Sequence, residues 1–242
     1  GAEPAGRWSQ LGSQYGFHTP RLVVPAVAAG PAGTYYSTLR AIWTQREQSI
    51  GLGSMWPFGP IRAGGCVIPK RTALELDVRV GDTILVAIDL YSVLASQATA
   101  QGEDTKSLNF PLIPISLTVD AILDRFYGKF DVSEDEAAMG IVVELDTLPE
   151  VILREEARLE SLKIDVDALR RISFRELTTQ IILNLPPPRD QTYRKSDFQL
   201  VQSSLVQFSS EGLSGFATSS IQPSLPLLQQ IESNQYLLLF LG

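Results

Sequence analysis

The residues predict an α+β fold whose sheet is mixed and at least partly antiparallel, with helices packed against it. Three observations lead there. Short apolar or alternating runs recur along the chain, helical patterns fall between them without a regular βαβ beat, and no internal repeat is visible. At 242 residues, 44% hydrophobic and 19% charged, the chain can bury a real core as one large domain or two smaller ones.

Residues 1–19 are rich in Gly, Ser and Gln and read as an arm leading into the first strand. Arg21–Ala28 reads as a buried strand interrupted by Pro25, which donates no ladder hydrogen bond and therefore predicts an edge or a bulge. Gly30–Gly33 is a turn, and Thr34–Thr44, with its Tyr, Thr, Ile and Trp, suits a second strand. Gly51–Gly65 is rich in Gly and Pro and predicts a long loop. Cys66–Ile68 resumes as a short strand, and Pro69 suits the first position of a helix because its missing N–H would be an orphan there anyway. Ala73, Leu74 and Leu76 supply that helix's apolar face. Gly81-Asp82 turns the chain into a strand over Thr83–Leu90, apolar on both faces and expected to be mostly buried.

Residues 95–109 are polar and read as an exposed loop. Pro114–Leu123 is a strand, Arg125–Phe130 a turn, Asp131–Glu136 an acidic helix start, and Gly140–Leu145 another strand. Thr147-Leu-Pro-Glu150 has capping-box spacing and predicts a helix from Leu148 to about Leu162, with Glu150 and Arg154 as an outward i,i+4 pair. A second helical pattern, Val166-Leu169-Ile172, leads into a strand over Thr179–Leu185, which Pro186–Pro188 ends. Phe198–Phe208 alternates, with Phe198, Leu200, Ser204, Val206 and Phe208 on one side, or winds as a helix, the preferred reading; Gly212–Thr218 is read as a loop and Leu225–Leu239 as a final helix. The apolar ending Tyr236–Gly242 fits either a domain cut from a longer protein or a last strand or helix turn.

Twenty Lys+Arg against 27 Asp+Glu give a formal charge of -7, which repels a phosphate backbone and makes nucleic acid an unexpected partner. The lone Cys66 cannot form an intrachain disulfide. No stretch reaches the roughly 18–20 apolar residues that a bilayer-spanning helix needs.

Chemistry is thinly represented. His18 is the one histidine, and no nucleophile-elbow or oxyanion pattern stands near it. With a single His and a single Cys, a zinc site would draw its other ligands from Asp and Glu, an uncommon set. Asp120 with Asp124, or the run Glu134-Asp135-Glu136, offers paired carboxylates for a hydrolase. The plainer reading makes the first pair turn residues and the second a favourable helix start. Trp8, Trp43, Trp56, Tyr35, Tyr36 and Phe58 read as core more readily than as a sugar or lipid platform. Pro186–Pro188 reads as a rigid break rather than a ligand for an SH3-like partner. No phosphate-cradling glycine loop is present, so any ATPase is a separate chain or domain. No catalytic, cofactor-binding or metal-ligating residue is therefore expected, and no cofactor.

The tract Cys66–Ile88 resembles the extracytoplasmic domain of ABC-transporter permeases of the MacB, LolC/LolE and FtsX-like type: strand Cys66–Ile68, helix residues Ala73–Leu76, turn Val78–Asp82, strand Thr83–Ile88. The resemblance extends upstream over His18–Val23, Leu39–Ile42, Gln45–Glu47 and Leu52–Trp56. Downstream it covers Ile115–Ala121, Gly140–Leu145 and the amphipathic segment from Leu225. The polar loop 95–109 and the helical pair 148–175 depart from it. The resemblance implies a porter-like subdomain (20–95 with 176–242) carrying a smaller inserted one (96–175), all within a single extracytoplasmic domain excised from a membrane protein. It further implies a non-enzymatic module, anchored on the periplasmic, extracellular or lumenal side and dimeric in the full-length assembly. Such a module couples ATP hydrolysis in a partner ATPase to a protein, lipid or lipoprotein cargo. Two other classes stand beside it: a free-standing protein-binding or scaffold domain, and a carboxylate-dependent hydrolase.

Overall fold

The computed structural model describes residues 17–49, 59–91, 93–94, 112–124, 140–171, 174, 177 and 179–184. Its elements are β1 (Phe17–Gly30), β2 (Gly33–Ile42), α1 (Thr44–Ser49), β3 (Gly65–Pro69), α2 (Lys70–Leu76), β4 (Thr83–Ile88), β5 (Ile113–Leu123) and β6 (Gly140–Glu144). After these come α3 (Leu148–Leu153), α4 (Glu156–Ser161), α5 (Val166–Arg171) and β7 (Gln180–Asn184). The expected readings of the 95–109 loop, the Asp131–Glu136 helix start, the Pro186–Pro188 break and everything from Phe198 onward lie outside the described residues.

The expected sheet with packed helices and an inserted subdomain is overturned. Strands β1 to β6 close into a six-stranded barrel in the order β1-β2-β6-β3-β5-β4, with β4 returning to β1 and β7 added to β1 as an extension. Strands from residues 20–95 and from 96–175 alternate around this one barrel, which leaves no separate inserted sheet among the described residues. Closure depends on the length of β1. Its 14 residues pair with β2 from Arg21 to Gly30 and, on the other edge, with β4 from Ala26 to Ala29 and with β7 from Phe17 to Arg21. Pro25 falls in the gap between β4 and β7. There its carbonyl accepts the Asp89 N–H at 2.9 Å, and no strand partner requires the N–H it lacks.

The pairing pattern repeats. β1–β2 is antiparallel, and so is β4–β5; β2 runs parallel to β6, and β5 runs parallel to β3; β1–β4 and β3–β6 are antiparallel. Exchanging β1, β2, β3 for β4, β5, β6 leaves every pairing unchanged, and each third strand is followed by a helix, α2 or α3. The barrel thus has a pseudo-twofold arrangement of two βββα units, a repeat of topology that the residues do not display.

Alternation fills the interior. Leu22, Val24, Ala26 and Ala28 of β1, Ile84, Val86 and Ile88 of β4, and Ile113, Ile115, Leu117 and Val119 of β5 point inward and are buried. Ala73, Leu76 and Val78 around α2, and Leu148, Val151 and Ile152 of α3, join the same core. In a closed barrel they reach it through the mouths. Since β3 and β6 are antiparallel, the helices that follow them close opposite mouths. A second cluster, Ile42, Ile61, Val67, Ala121, Leu123 and Val142, lies on the outer surface. A bulge brings β5 into both clusters. Cys66 pairs with Val119 but Val67 with Ala121, so Asp120 is the extra residue and the strand changes phase across it.

Local expectations hold in part. Pro69 is the N-cap rather than the first helical residue of α2. The helix ends in a left-handed Asp77, with the Val78 N–H bonded to Ala73 O at 3.0 Å and the Asp77 N–H to Leu74 O at 3.3 Å. Gly81, at φ +96, makes the predicted turn, which is tied to β5 by Gly81 N–H to Val119 O at 2.8 Å. The helix expected from Leu148 to Leu162 breaks into α3 and α4 at Arg154-Glu155. Its capping box does not form, because the Thr147 hydroxyl turns to the Glu144 carbonyl. The Glu150–Arg154 pair does form. The expected second strand, Thr34–Thr44, stops at Ile42, and Thr44 instead opens α1.

Candidate functional site

The densest polar construction sits where β2, β6 and the β7-paired end of β1 meet at one mouth. Arg21 points outward from β1, and Glu47 reaches it from the short helix α1. The Arg21 Nε donates to Glu47 Oε1 at 2.7 Å and Nη2 to Oε2 at 2.8 Å, with both side chains 2% exposed. This is the planar two-point pairing that a guanidinium makes with a carboxylate. It fixes α1 against the barrel.

Glu144 ends β6 and is buried. Its Oε1 accepts the Thr44 N–H at 3.0 Å, and its Oε2 accepts the Thr44 hydroxyl and, at 3.3 Å, the Ile61 N–H. One carboxylate therefore joins the end of β6, the start of α1 and the segment that carries Ile61 over the outer cluster. Burial pushes its pKa up, while the three donors pull it down by less. Both buried carboxylates are committed to donors that hold the fold.

The residues singled out in the sequence do not converge. His18 lies on β1 opposite Leu183. Asp120 accepts from Arg62 Nε at 2.9 and 3.2 Å, and its Oδ1 lies 2.8 Å from Arg62 Nη2, in an ion pair on the surface that raises the arginine's pKa. Asp124 is 82% exposed and pairs with Lys70 at 3.3 Å. The two carboxylates weighed as a possible hydrolase pair thus have separate surface partners. Glu134–Glu136, Trp8, Trp56 and Phe58 lie outside the described residues. Tyr35 packs against the core and Trp43 is half-buried, whereas Tyr36 stands 81% exposed. Among the described residues no group of three His, Cys, Asp or Glu side chains is placed to hold a metal ion. No helix among them is long and apolar enough to cross a membrane.

Arg21, Glu47 and Glu144 escaped the sequence reading although a signal was present. Arg21 and Glu144 each border an uninterrupted apolar run, Leu22–Val24 and Ile141–Val143, and a charge fixed at such a boundary needs a partner when the strand is buried. Their partners lie far along the chain, which local pattern does not reveal. No protein-family model matches the chain, and no curated protein matches it in sequence.

Proposed function

We propose that this chain is a non-catalytic extracytoplasmic domain of an ABC-transporter permease of the FtsX, MacB or LolC type, which passes ATP-driven motion from a separate ATPase to a partner or cargo outside the cytoplasm. One observation supports the reading above others. The tract whose residue order carries the resemblance folds as β3, α2, the Gly81 turn and β4, in that order, and the next two matching stretches fold as β5 and β6. The commitment of Asp120 and Asp124 to separate ion pairs favours a mechanical role over a hydrolytic one. The barrel replaces the porter-like fold that the resemblance implied, so support rests on the ordered tract and not on the architecture.

The test is the coding sequence that flanks this chain. One apolar segment of about 20 residues before it and three after it would bear the reading out, together with co-purification of an ATPase from detergent extracts. Absence of such segments on both sides would overturn it.

A further inference from the structure

Segment 59–62 lies against the outside of the barrel. Ile61 seats its side chain in the outer cluster with Ile42, Val67, Ala121, Leu123 and Val142, a cluster separate from the interior core. Arg62 pairs with Asp120 at the surface, and the Gly65 N–H closes a turn onto Arg62 O at 2.9 Å, with Gly64 at φ +78. The Ile61 N–H donates to Glu144 Oε2 at 3.3 Å, the longest of the three hydrogen bonds which that buried carboxylate accepts. The other two come from Thr44, at the start of α1, and α1 is pinned to β1 independently by the Arg21–Glu47 pair. Lifting Ile61 therefore opens a path for water to Glu144 without disturbing α1 or the interior of the barrel.

The surrounding charges give Glu144 no counter-ion. Arg21 of β1 stands in the same outward row, across Ile42, and pairs with Glu47 of α1. Arg62 pairs with Asp120. Arg40 of β2 lies opposite Val142, two residues before Glu144, and α1 also carries the half-buried Arg46. None of these arginines pairs with Glu144, and the charge that acts on it is that of Asp146, of its own sign. Its donors nevertheless suit either protonation state. The Thr44 hydroxyl donates to the ionised carboxylate and, by turning, accepts from the protonated one, while both N–H groups find an oxygen lone pair in each case. We propose that Glu144 is a proton-controlled catch for segment 59–62: protonated, it keeps Ile61 seated on the outer cluster, and ionised, it draws in water and lets Ile61 lift away while the barrel stays closed. Burial supports this direction, because it raises the proton affinity of the seated state, whereas lifting Ile61 hydrates the carboxyl and returns it towards its ordinary value of 4.5. The proposal stands whether or not the chain belongs to a permease.

Amide hydrogen exchange of the whole chain, read residue by residue by NMR and corrected for the intrinsic rate at each pH, tests it. Protection of the Ile61 amide should fall by up to about tenfold per pH unit above 4.5 and level off once the raised value of the seated state is passed. The Glu47 amide, bonded to Trp43 O at 2.9 Å, and the ladder amides of β4 and β5 should not follow it. In Glu144→Gln, which stays neutral throughout, Ile61 should keep the wild-type low-pH protection at every pH. Wild type decides the matter even if that variant folds poorly. Protection of Ile61 that does not change with pH would overturn the proposal. So would protection that falls towards acid, which is the sign expected if the Arg62–Asp120 pair were the controlling tie. A pH dependence that survives Glu144→Gln, or loss of protection at Ile61 and in β4 and β5 together, would overturn it as well.

Discussion

Arg21 and Glu47, 26 residues apart in sequence, form a two-point ion pair that is almost wholly removed from solvent. Breaking it from one side leaves the other charge buried. Glu47→Ala should therefore cost about 3–5 kcal/mol of folding stability. The double replacement Arg21→Met with Glu47→Leu should recover most of that loss, since a well-packed apolar pair of similar volume is close to neutral. Urea unfolding of the three proteins measures both effects, and a double variant no better than the single one would assign the cost to packing instead.

Glu144 gives a pH signature. Burial raises its folded-state pKa above the unfolded value, so the folded chain holds the proton more readily than the unfolded chain. Its contribution to stability therefore improves as pH falls through the raised folded value and levels off below the unfolded value of 4.5. Glu144→Gln cannot titrate. The stability of wild type relative to this variant should rise between neutral pH and about pH 4. A difference that moves in the opposite direction would mean that the three donors outweigh desolvation.

Gly30 ends β1 where α2 closes the mouth. A Cβ there would meet Leu76 O at 2.6 Å and Leu76 Cβ at 2.9 Å, and one of these atoms is backbone. Gly30→Ala must push the end of α2 outward and should cost about 1–3 kcal/mol. At Gly59 an added Cβ meets nothing within 4 Å, so Gly59→Ala should change the melting temperature little. Equal effects of the two substitutions would refute the close approach.

Cys66 points into the barrel core, and desolvation raises its thiol pKa to about 12. At pH 8 the native protein should react with a thiol-specific disulfide reagent only at the rate at which it opens. Reaction should become fast at denaturant concentrations that unfold it. Rapid labelling of the native protein would show that β3 is accessible.

Much of the barrel was legible because its strands obey local rules. The alternation in Thr83–Ile88 and the Gly81-Asp82 turn are short-range signals, and the structure uses both as written. The fold class was not legible. Nothing within β1 states that both of its edges are used, and the parallel pairings of β2 with β6 and of β3 with β5 join segments separated by long stretches of chain. Pro25 was correctly marked as a place where the ladder is interrupted, but the reason, a gap between β4 and β7 on the same edge, is a tertiary fact. The helix Leu148–Leu162 was expected to be continuous because its apolar spacing runs through Arg154-Glu155. Its break there is not signalled by Gly or Pro. At the polar mouth, Glu144 was visible as a charge closing an apolar run, yet its donors on Thr44 and Ile61 could only be found in the folded chain.

The exchange of third strands has a consequence for how the molecule assembles. β6, the last strand of the second unit, lies between β2 and β3 of the first, and β3 lies between β6 and β5 of the second. Each unit is missing its own middle contact until the other is present, so neither half can form its sheet alone or peel away from the other. Closing the ring requires β2 to find a partner about a hundred residues downstream, as the Thr44–Glu144 contact illustrates. A chain wired this way meets the entropy of long loops before its pairings are rewarded, and should fold slowly and in one cooperative step, with the two halves lost together when it unfolds.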